Sequence, residues 1–183
     1  ISSRSIILAN KNSISKIIQD SFPGIESAYV RKSFPDKIII NVMERQPIAI
    51  FCHSQNQNCF LIDKSGIIFD TNTDNQAELA VITAEGQNIL IGQEAVNKNT
   101  MENIIKIDKS LKDNFQINTK NVFASNPLVF TTSEGWDIYF DPNSNIDLQI
   151  TKLKSLLDEE ITENVRKNLQ YIYLQFKDRA YYK

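Results

Sequence analysis

Lys37-Ile38-Ile39-Ile40-Asn41-Val42-Met43-Glu44-Arg45-Gln46-Pro47-Ile48-Ala49 is the stretch that decides the fold. Ile38, Ile40 and Val42 alternate with Ile39, Asn41 and Met43, the two-residue period of a strand with two faces. The strand stops at Glu44-Arg45-Gln46-Pro47, because proline has no N–H to give to a ladder. A second apolar run begins at once with Ile48. A strand that ends at a proline and restarts without a linker marks a junction between two units in direct contact.

Upstream of this stretch, Ile14, Ile17, Ile18 and Phe22 recur at helical spacing. Asn12 or Ser13 is expected to cap that helix, since a short side-chain oxygen accepts an orphan N–H of the first turn. Pro23-Gly24 ends it. Ser27 to Arg31 alternates as a strand, and Ser33-Phe34-Pro35-Asp36 forms a turn into the Ile38 strand. The first unit is therefore a helix followed by a strand pair.

Downstream, Ile48 to Cys52 and Cys59 to Ile62 are short strands about a polar loop, Ser54 to Asn58. Asp63-Lys64-Ser65-Gly66 is a turn, with Asp first and Gly fourth. Ile67 to Phe69 and Ala80 to Thr83 follow as short strands, with a polar loop from Thr71 to Glu78 between them. Met101, Ile104, Ile107, Leu111 and Phe115 give Ala95 to Phe115 one apolar helical face. Asn121 to Ala124 is a strand. Leu128, Phe130, Thr132 and Trp136, Ile138, Phe140 alternate about Ser133-Glu134-Gly135, a hairpin pattern. Ile146, Ile150, Leu153 and Leu157 mark a last helix. Leu169 to Phe176 and Ala180 to Lys183 close the chain as two strands about Lys177-Asp178-Arg179.

The fold class is therefore α+β: a small unit over residues 1–47, and over residues 48–183 a larger one built on an antiparallel-rich sheet with two helices. Charge divides the chain near the same point. Residues 1–53 carry a net +3 and the remainder −5, within a total of −2 over 183 residues.

Composition excludes several classes of chemistry. A net charge so near zero does not suit binding by phosphate neutralisation. One His and two Cys cannot form an all-Cys/His zinc site. Gly24, Gly66, Gly86, Gly92 and Gly135 are too scattered for a phosphate-cradling loop. No 18-residue apolar stretch is present. The first residue is Ile rather than Met, and a preceding segment is expected.

Each candidate site has a plainer structural reading. Cys52 and His53 resemble a thiol–imidazole dyad, but strand neighbours point to opposite faces. Cys52 and Cys59 flank a loop, and a cross-strand disulfide is open to them if they face each other in an oxidising compartment. Asp158, Glu159, Glu160 and Glu163 fan around a helix end rather than converging on a cation. Glu134 and Asp137 bracket a turn with no cleft between them. Tyr171, Tyr173, Phe176, Tyr181 and Tyr182 form a dense aromatic cluster. They fit either cross-strand packing or an interaction surface at a sheet edge, where unpaired N–H and C=O groups accept another strand. Stacking on nucleic acid, aided by Lys177, Arg179 and Lys183, is disfavoured by the acidity of the second unit.

Four stretches, in order, resemble those of one family. Phe22-Pro23-Gly24-Ile25 with Ala28-Tyr29-Val30-Arg31-Lys32 and Phe34-Pro35 resembles the POTRA pattern. The Lys37–Ala49 stretch resembles the run that follows it, with its Glu-Arg-x-Pro-x-Ala ending. Leu61-Ile62-Asp63, then Gly66-Ile67-Ile68-Phe69, resembles the family's strand–turn–strand. Tyr171 to Phe176 and Arg179 to Lys183 resemble its closing strands. Together these are similar to the extracytoplasmic part of FtsQ/DivIB-type bacterial cell-division proteins. Tyr173 and Gln175 stand where the family has Asp and Arg. A POTRA domain also normally opens with a strand and helix ahead of the segment seen here, so the copy over 1–47 is expected to be incomplete.

The resemblance implies a non-enzymatic scaffold of the divisome, with no cofactor and no small-molecule substrate. It implies a single-pass plasma-membrane protein whose anchor lies upstream of Ile1, with this region extracytoplasmic at the division septum. It implies partners of the FtsB/DivIC and FtsL type, small coiled-coil proteins that add a strand to the edge formed by the last strands. Carried over by position, the contacting segment is Gln175, Phe176, Lys177, Asp178 and Arg179, with Tyr173, Tyr181 and Tyr182 beside it. The alternative, a POTRA-type chaperone or transport module of an outer-membrane assembly factor, calls for repeated POTRA units or a downstream barrel, and the sequence carries neither.

Overall fold

The computed structural model describes residues 6–53, 58–71, 79–84 and 89–183. The expected loop residues 54–57 and 72–78, and Gly86, lie outside the described residues.

After a short 3-10 turn at Ile6–Leu8, helix α1 spans Lys11–Ser21. Its N-cap is Asn10, whose side chain accepts from the backbone N–H of Asn12 and Ser13 at 3.0 and 3.2 Å. The expected caps Asn12 and Ser13 are themselves in the first turn, because a cap must precede the donors it satisfies. Strands β1 (Ile25–Ser33) and β2 (Lys37–Glu44) form an antiparallel two-stranded sheet of their own. Helix α1 covers only part of one face. Ala28 and Val30 are buried beneath it, whereas their register partners Val42 and Ile40 stay exposed. Ser15 on α1 donates to the Ala28 carbonyl at 2.5 Å and fixes the helix over β1 rather than β2.

A nine-stranded sheet follows, in the order β11-β10-β9-β8-β7-β6-β3-β4-β5. Its strands are β3 (Ala49–His53), β4 (Cys59–Ile62), β5 (Ile68–Thr71), β6 (Val81–Ala84), β7 (Thr119–Phe123), β8 (Leu128–Thr132), β9 (Asp137–Phe140), β10 (Tyr171–Tyr173) and β11 (Tyr181–Tyr182). Antiparallel pairs predominate, giving the mixed α+β architecture read from sequence. Three pairs are parallel: β3 with β6, β6 with β7, and β9 with β10. These were not foreseen. Short apolar runs carry no record of strand direction. The second and third follow from helical crossovers, since a parallel neighbour cannot be reached by a tight turn.

The crossovers are helix α2 (Lys98–Phe115), joining β6 to β7, and helix α3 (Ile146–Glu159) with one-turn helix α4 (Glu163–Arg166), joining β9 to β10. The larger unit thus has a third, short helix beyond the two expected. Helix α2 starts later than Ala95, because Asn97 caps it by accepting from Thr100 N–H at 2.9 Å. Ala95 is held instead by the turn at Gly66, donating to its carbonyl at 2.8 Å.

The core lies between the sheet and α2 and α3. Met101, Ile104, Ile107 and Leu111 of α2 and Leu153 and Leu156 of α3 pack against Phe51, Ile82, Val122, Phe130, Ile138, Phe140 and Ile172. Alternation sends the intervening residues to the opposite face. There Tyr139, Tyr171 and Tyr173 lie half-buried, side by side.

Candidate functional site

The closing strands are shorter than the sequence pattern indicates. Strand β10 covers only Tyr171–Tyr173 and β11 only Tyr181–Tyr182. Gln175, Phe176, Lys177, Asp178 and Arg179, expected on or beside strands, form the loop between them. Ile172, Leu174 and Phe176 continue a strand-like alternation. The ladder nonetheless ends at Leu174, whose N–H donates to the Tyr139 carbonyl at 2.9 Å. Beyond it the Lys152 ammonium on α3 donates to the Phe176 carbonyl and draws the chain toward the helix.

Strand β11 is the last strand on its side of the sheet. Tyr171 and Lys183 exchange both backbone bonds, at 3.3 and 3.2 Å. Strand alternation then turns the Tyr182 N–H and C=O away from β10, toward the open side. That outward pair is what an added strand would engage.

Aromatic side chains line the approach. The Tyr139 and Tyr173 rings are 4.4 Å apart between centroids, and Tyr171 and Tyr173 4.7 Å. Phe176 folds back, edge to face, at 6.5 Å from Tyr173 and 5.4 Å from Tyr181. Tyr139, Tyr171, Tyr173 and Tyr181 share one face through the register of β9, β10 and β11. Phe176 is 42% exposed and Tyr181 45%, so the row ends in accessible rings rather than in core; Tyr182, register partner of Ile172, is 37% exposed on the opposite face. The inner half of the cluster is therefore cross-strand packing, and its outer half is exposed. Burial pushes the Tyr139 hydroxyl above its usual range, with Asp137 and Tyr173 adding to the shift. Lys177, Asp178 and Arg179 are exposed around the row. Arg179 reaches the Tyr181 hydroxyl at 3.4 Å.

The other sequence candidates have structural partners. Cys52 and Cys59 are register partners on β3 and β4, 4.1 Å apart between Cα atoms, and form a disulfide. The His53 N–H donates to the Asn58 carbonyl at 3.0 Å, which makes Cys52–Cys59 the close, non-hydrogen-bonded type of pair. His53 points to the other face, where Nε2 accepts from Ile89 N–H at 3.1 Å. Glu134 and Asp137 diverge. Asp137 accepts from the Thr131 hydroxyl at 2.7 Å, while Glu134 accepts from Arg166 and, at 3.1 Å, from Trp136 Nε1. Hydrogen bonding from Arg166 holds Glu134 below the usual carboxylate range, with Trp136 adding to it and partial burial opposing it. Among the described residues, no group of three or more His, Cys, Asp or Glu converges as metal ligands would. Among them no helix is long and apolar enough to cross a membrane.

One feature missed from sequence is Arg45. Sequence places it at a strand end, within the Glu-Arg-x-Pro-x-Ala run, but does not pair it; its guanidinium is almost buried against Asp63 of the β4–β5 turn. Nothing in a single sequence pairs residues this far apart.

Residues 2–45 match the family model of the FtsQ-type POTRA domain. Over 181 residues, 94% of this chain, the protein is 23% identical to the cell division protein DivIB of Clostridium tetani (strain Massachusetts / E88), of which the match spans 66%. Over 69 residues, 38% of this chain, it is 33% identical to the cell division protein FtsQ of Rickettsia felis (strain ATCC VR-1525 / URRWXCal2), of which the match spans 25%. The chain thus corresponds to just under two thirds of one relative and a quarter of the other. The chain carries an FtsQ-type POTRA match over residues 2–45 and is similar, over most of its length, to a DivIB cell division protein.

Proposed function

We propose that this protein is a non-enzymatic scaffold of bacterial cell division, and that it binds small coiled-coil division proteins of the FtsB/DivIC and FtsL type by adding their strand to β11. The observation that carries this reading is the conjunction at β11. An outermost strand turns the Tyr182 N–H and C=O outward, beside the accessible rings of Phe176, Tyr181 and Tyr182. Main-chain bonds supply affinity in strand addition, and flanking pockets for side chains supply specificity. Aromatic anchors are the residue types that concentrate binding energy at interfaces. Tyr173, Gln175, Lys177, Asp178 and Arg179 complete the proposed contact segment.

Residues 1–47 serve in this reading as the POTRA unit and residues 48–183 as the partner-binding unit. A membrane anchor upstream of Ile1 would place both outside the cytoplasm at the septum. The Cys52–Cys59 disulfide supports that placement, because such bonds persist in oxidising compartments.

The test is titration of the chain with a peptide covering the strand-forming segment of an FtsB-like protein. The reading requires saturable binding that weakens at least about tenfold, or about 1.4 kcal/mol, in Tyr182→Pro. Proline there removes an outward N–H and no bond of the free protein's ladder. Unchanged binding in both Tyr182→Pro and Phe176→Ala would refute this site.

A further inference from the structure

The two sheets share no strand pairing, yet they are joined through one nearly buried side chain. Arg45 follows the last residue of β2 and is bonded at three points. Its backbone N–H donates to the Gly24 carbonyl at 2.8 Å. Its Nε donates to the Pro23 carbonyl at 2.9 Å, and its terminal nitrogen meets Asp63 Oδ2. The Arg45 side chain is 13% exposed and that of Asp63 3%. Outside this pair, Lys64 and Glu26 form a second bridge of 2.9 Å between the same two units.

The Asp63 end is firmly placed. Its Oδ1 accepts from Ser65 and Ile67 N–H at 2.9 and 3.0 Å, closing the β4–β5 turn. That turn is anchored in turn through Gly66, whose carbonyl receives the Ala95 N–H at 2.8 Å ahead of α2. Gly66 has φ +80°, and a Cβ there would lie 1.8 Å from the Val96 carbonyl oxygen, so only glycine lets the turn pack this closely ahead of α2. The Arg45 end is the opposite. Helix α1 has no buried residue, and among the residues before Ala49 whose burial is described only Ala28 and Val30 are buried. A unit with so little core borrows its order from what it is fastened to.

We propose that Arg45 and Asp63, flanked by Lys64 and Glu26, form an interdomain latch that holds the N-terminal sheet and the nine-stranded sheet as one rigid body. Its release turns Gln46–Ile48 into a hinge. The latch explains how two units joined without a linker keep one orientation, and it fixes the position of the N-terminal unit relative to β11. It stands independently of which partner β11 receives. Burial makes the pair sensitive: loss of either member leaves the other charge without its counter-ion in a site that water barely reaches.

The test is the distance distribution between spin labels on cysteines placed at exposed Lys16 and Lys120, in the full 183-residue chain with the native disulfide oxidised. The unaltered chain should give one narrow distribution and one calorimetric unfolding transition. Arg45→Gln should broaden the distribution at least about twofold and split off an earlier transition for the N-terminal unit. Asp63→Asn should do the same with its turn preserved, since the amide oxygen still accepts from Ser65 and Ile67. The double variant should be no worse than either single one, because both remove one interaction. An unchanged narrow distribution in either single variant would overturn the proposal. So would strictly additive effects, or loss of the nine-stranded sheet itself in both variants.

Discussion

The nine-stranded sheet has two edges, and they are finished differently. At β5 the outward groups of Ile68 are taken up. Its N–H donates to the Gln93 carbonyl at 3.1 Å and its C=O accepts from Gly92 N–H at 2.7 Å. A bridge between Ile67 and Glu94 extends this cover. Gly92, at φ +93°, lets the 92–94 segment lie flat against the strand. At β11 the described residues provide no such strap, and the strand is decorated instead with exposed tyrosines and Phe176. An exposed edge is an aggregation hazard that folds normally suppress. One edge closed with backbone and the other left open beneath aromatic rings means that openness at β11 is a property of that place, not of the sheet. The POTRA strands make a third case: they leave apolar side chains exposed on β2 but carry no aromatic row at a sheet end.

The contrast can be broken most severely at the closed edge. Gly66→Ala forces a Cβ into the Val96 carbonyl at a left-handed φ, and the turn that sets the 92–96 strap must move. Overpacking together with the conformational penalty should cost about 3 kcal/mol, read as a lower urea midpoint. Dye binding should rise as β5 loses its cover. Removing the disulfide with Cys52→Ser and Cys59→Ser should cost about 2 kcal/mol for so short a loop, without altering affinity at β11. An affinity loss would show that the two edges are coupled.

At the open edge, Phe176→Ala should weaken partner binding by about 1 to 2 kcal/mol, the scale of an interface anchor, while changing the unfolding midpoint little. A large stability loss would instead make Phe176 core. The smallest effect belongs to the hairpin behind it. Arg166 depresses the Glu134 pKa, so the folded state favours the carboxylate. That stabilisation is complete above the ordinary value of 4.5 and is lost as pH falls through the lower folded value. Partial exposure keeps it well under about 1 kcal/mol. The melting temperatures of the native chain and Glu134→Gln should therefore differ at neutral pH and converge in acid.

How much of this was legible before the structure follows from the range of each interaction. Local turn chemistry was legible: Asp63 to Gly66, the Gly135 hairpin and the apolar face of α2 all rest on residues a few positions apart. Strand direction was not, because Val81 to Ala84 and Asn121 to Phe123 look the same whichever way they run. The aromatic cluster was found from composition and spacing. Its division into packed Tyr171 and Tyr173 and accessible Phe176, Tyr181 and Tyr182 was not, nor was the addition of Tyr139 from β9, since these depend on strand pairing and on where β10 stops. The Arg45–Asp63 contact lay beyond single-sequence reach altogether, being a long-range pair between residues each with a good local explanation.

The claim that β11 accepts a strand is tested most directly by amide hydrogen exchange at Tyr182, read by NMR with and without a saturating FtsB-like peptide. In the free chain this amide faces solvent and should exchange quickly. Strand addition predicts that saturation slows it by at least about tenfold, while Ile68 at the closed edge, already bonded, stays unchanged. Saturable binding with the Tyr182 amide still exchanging at its free rate would contradict the account.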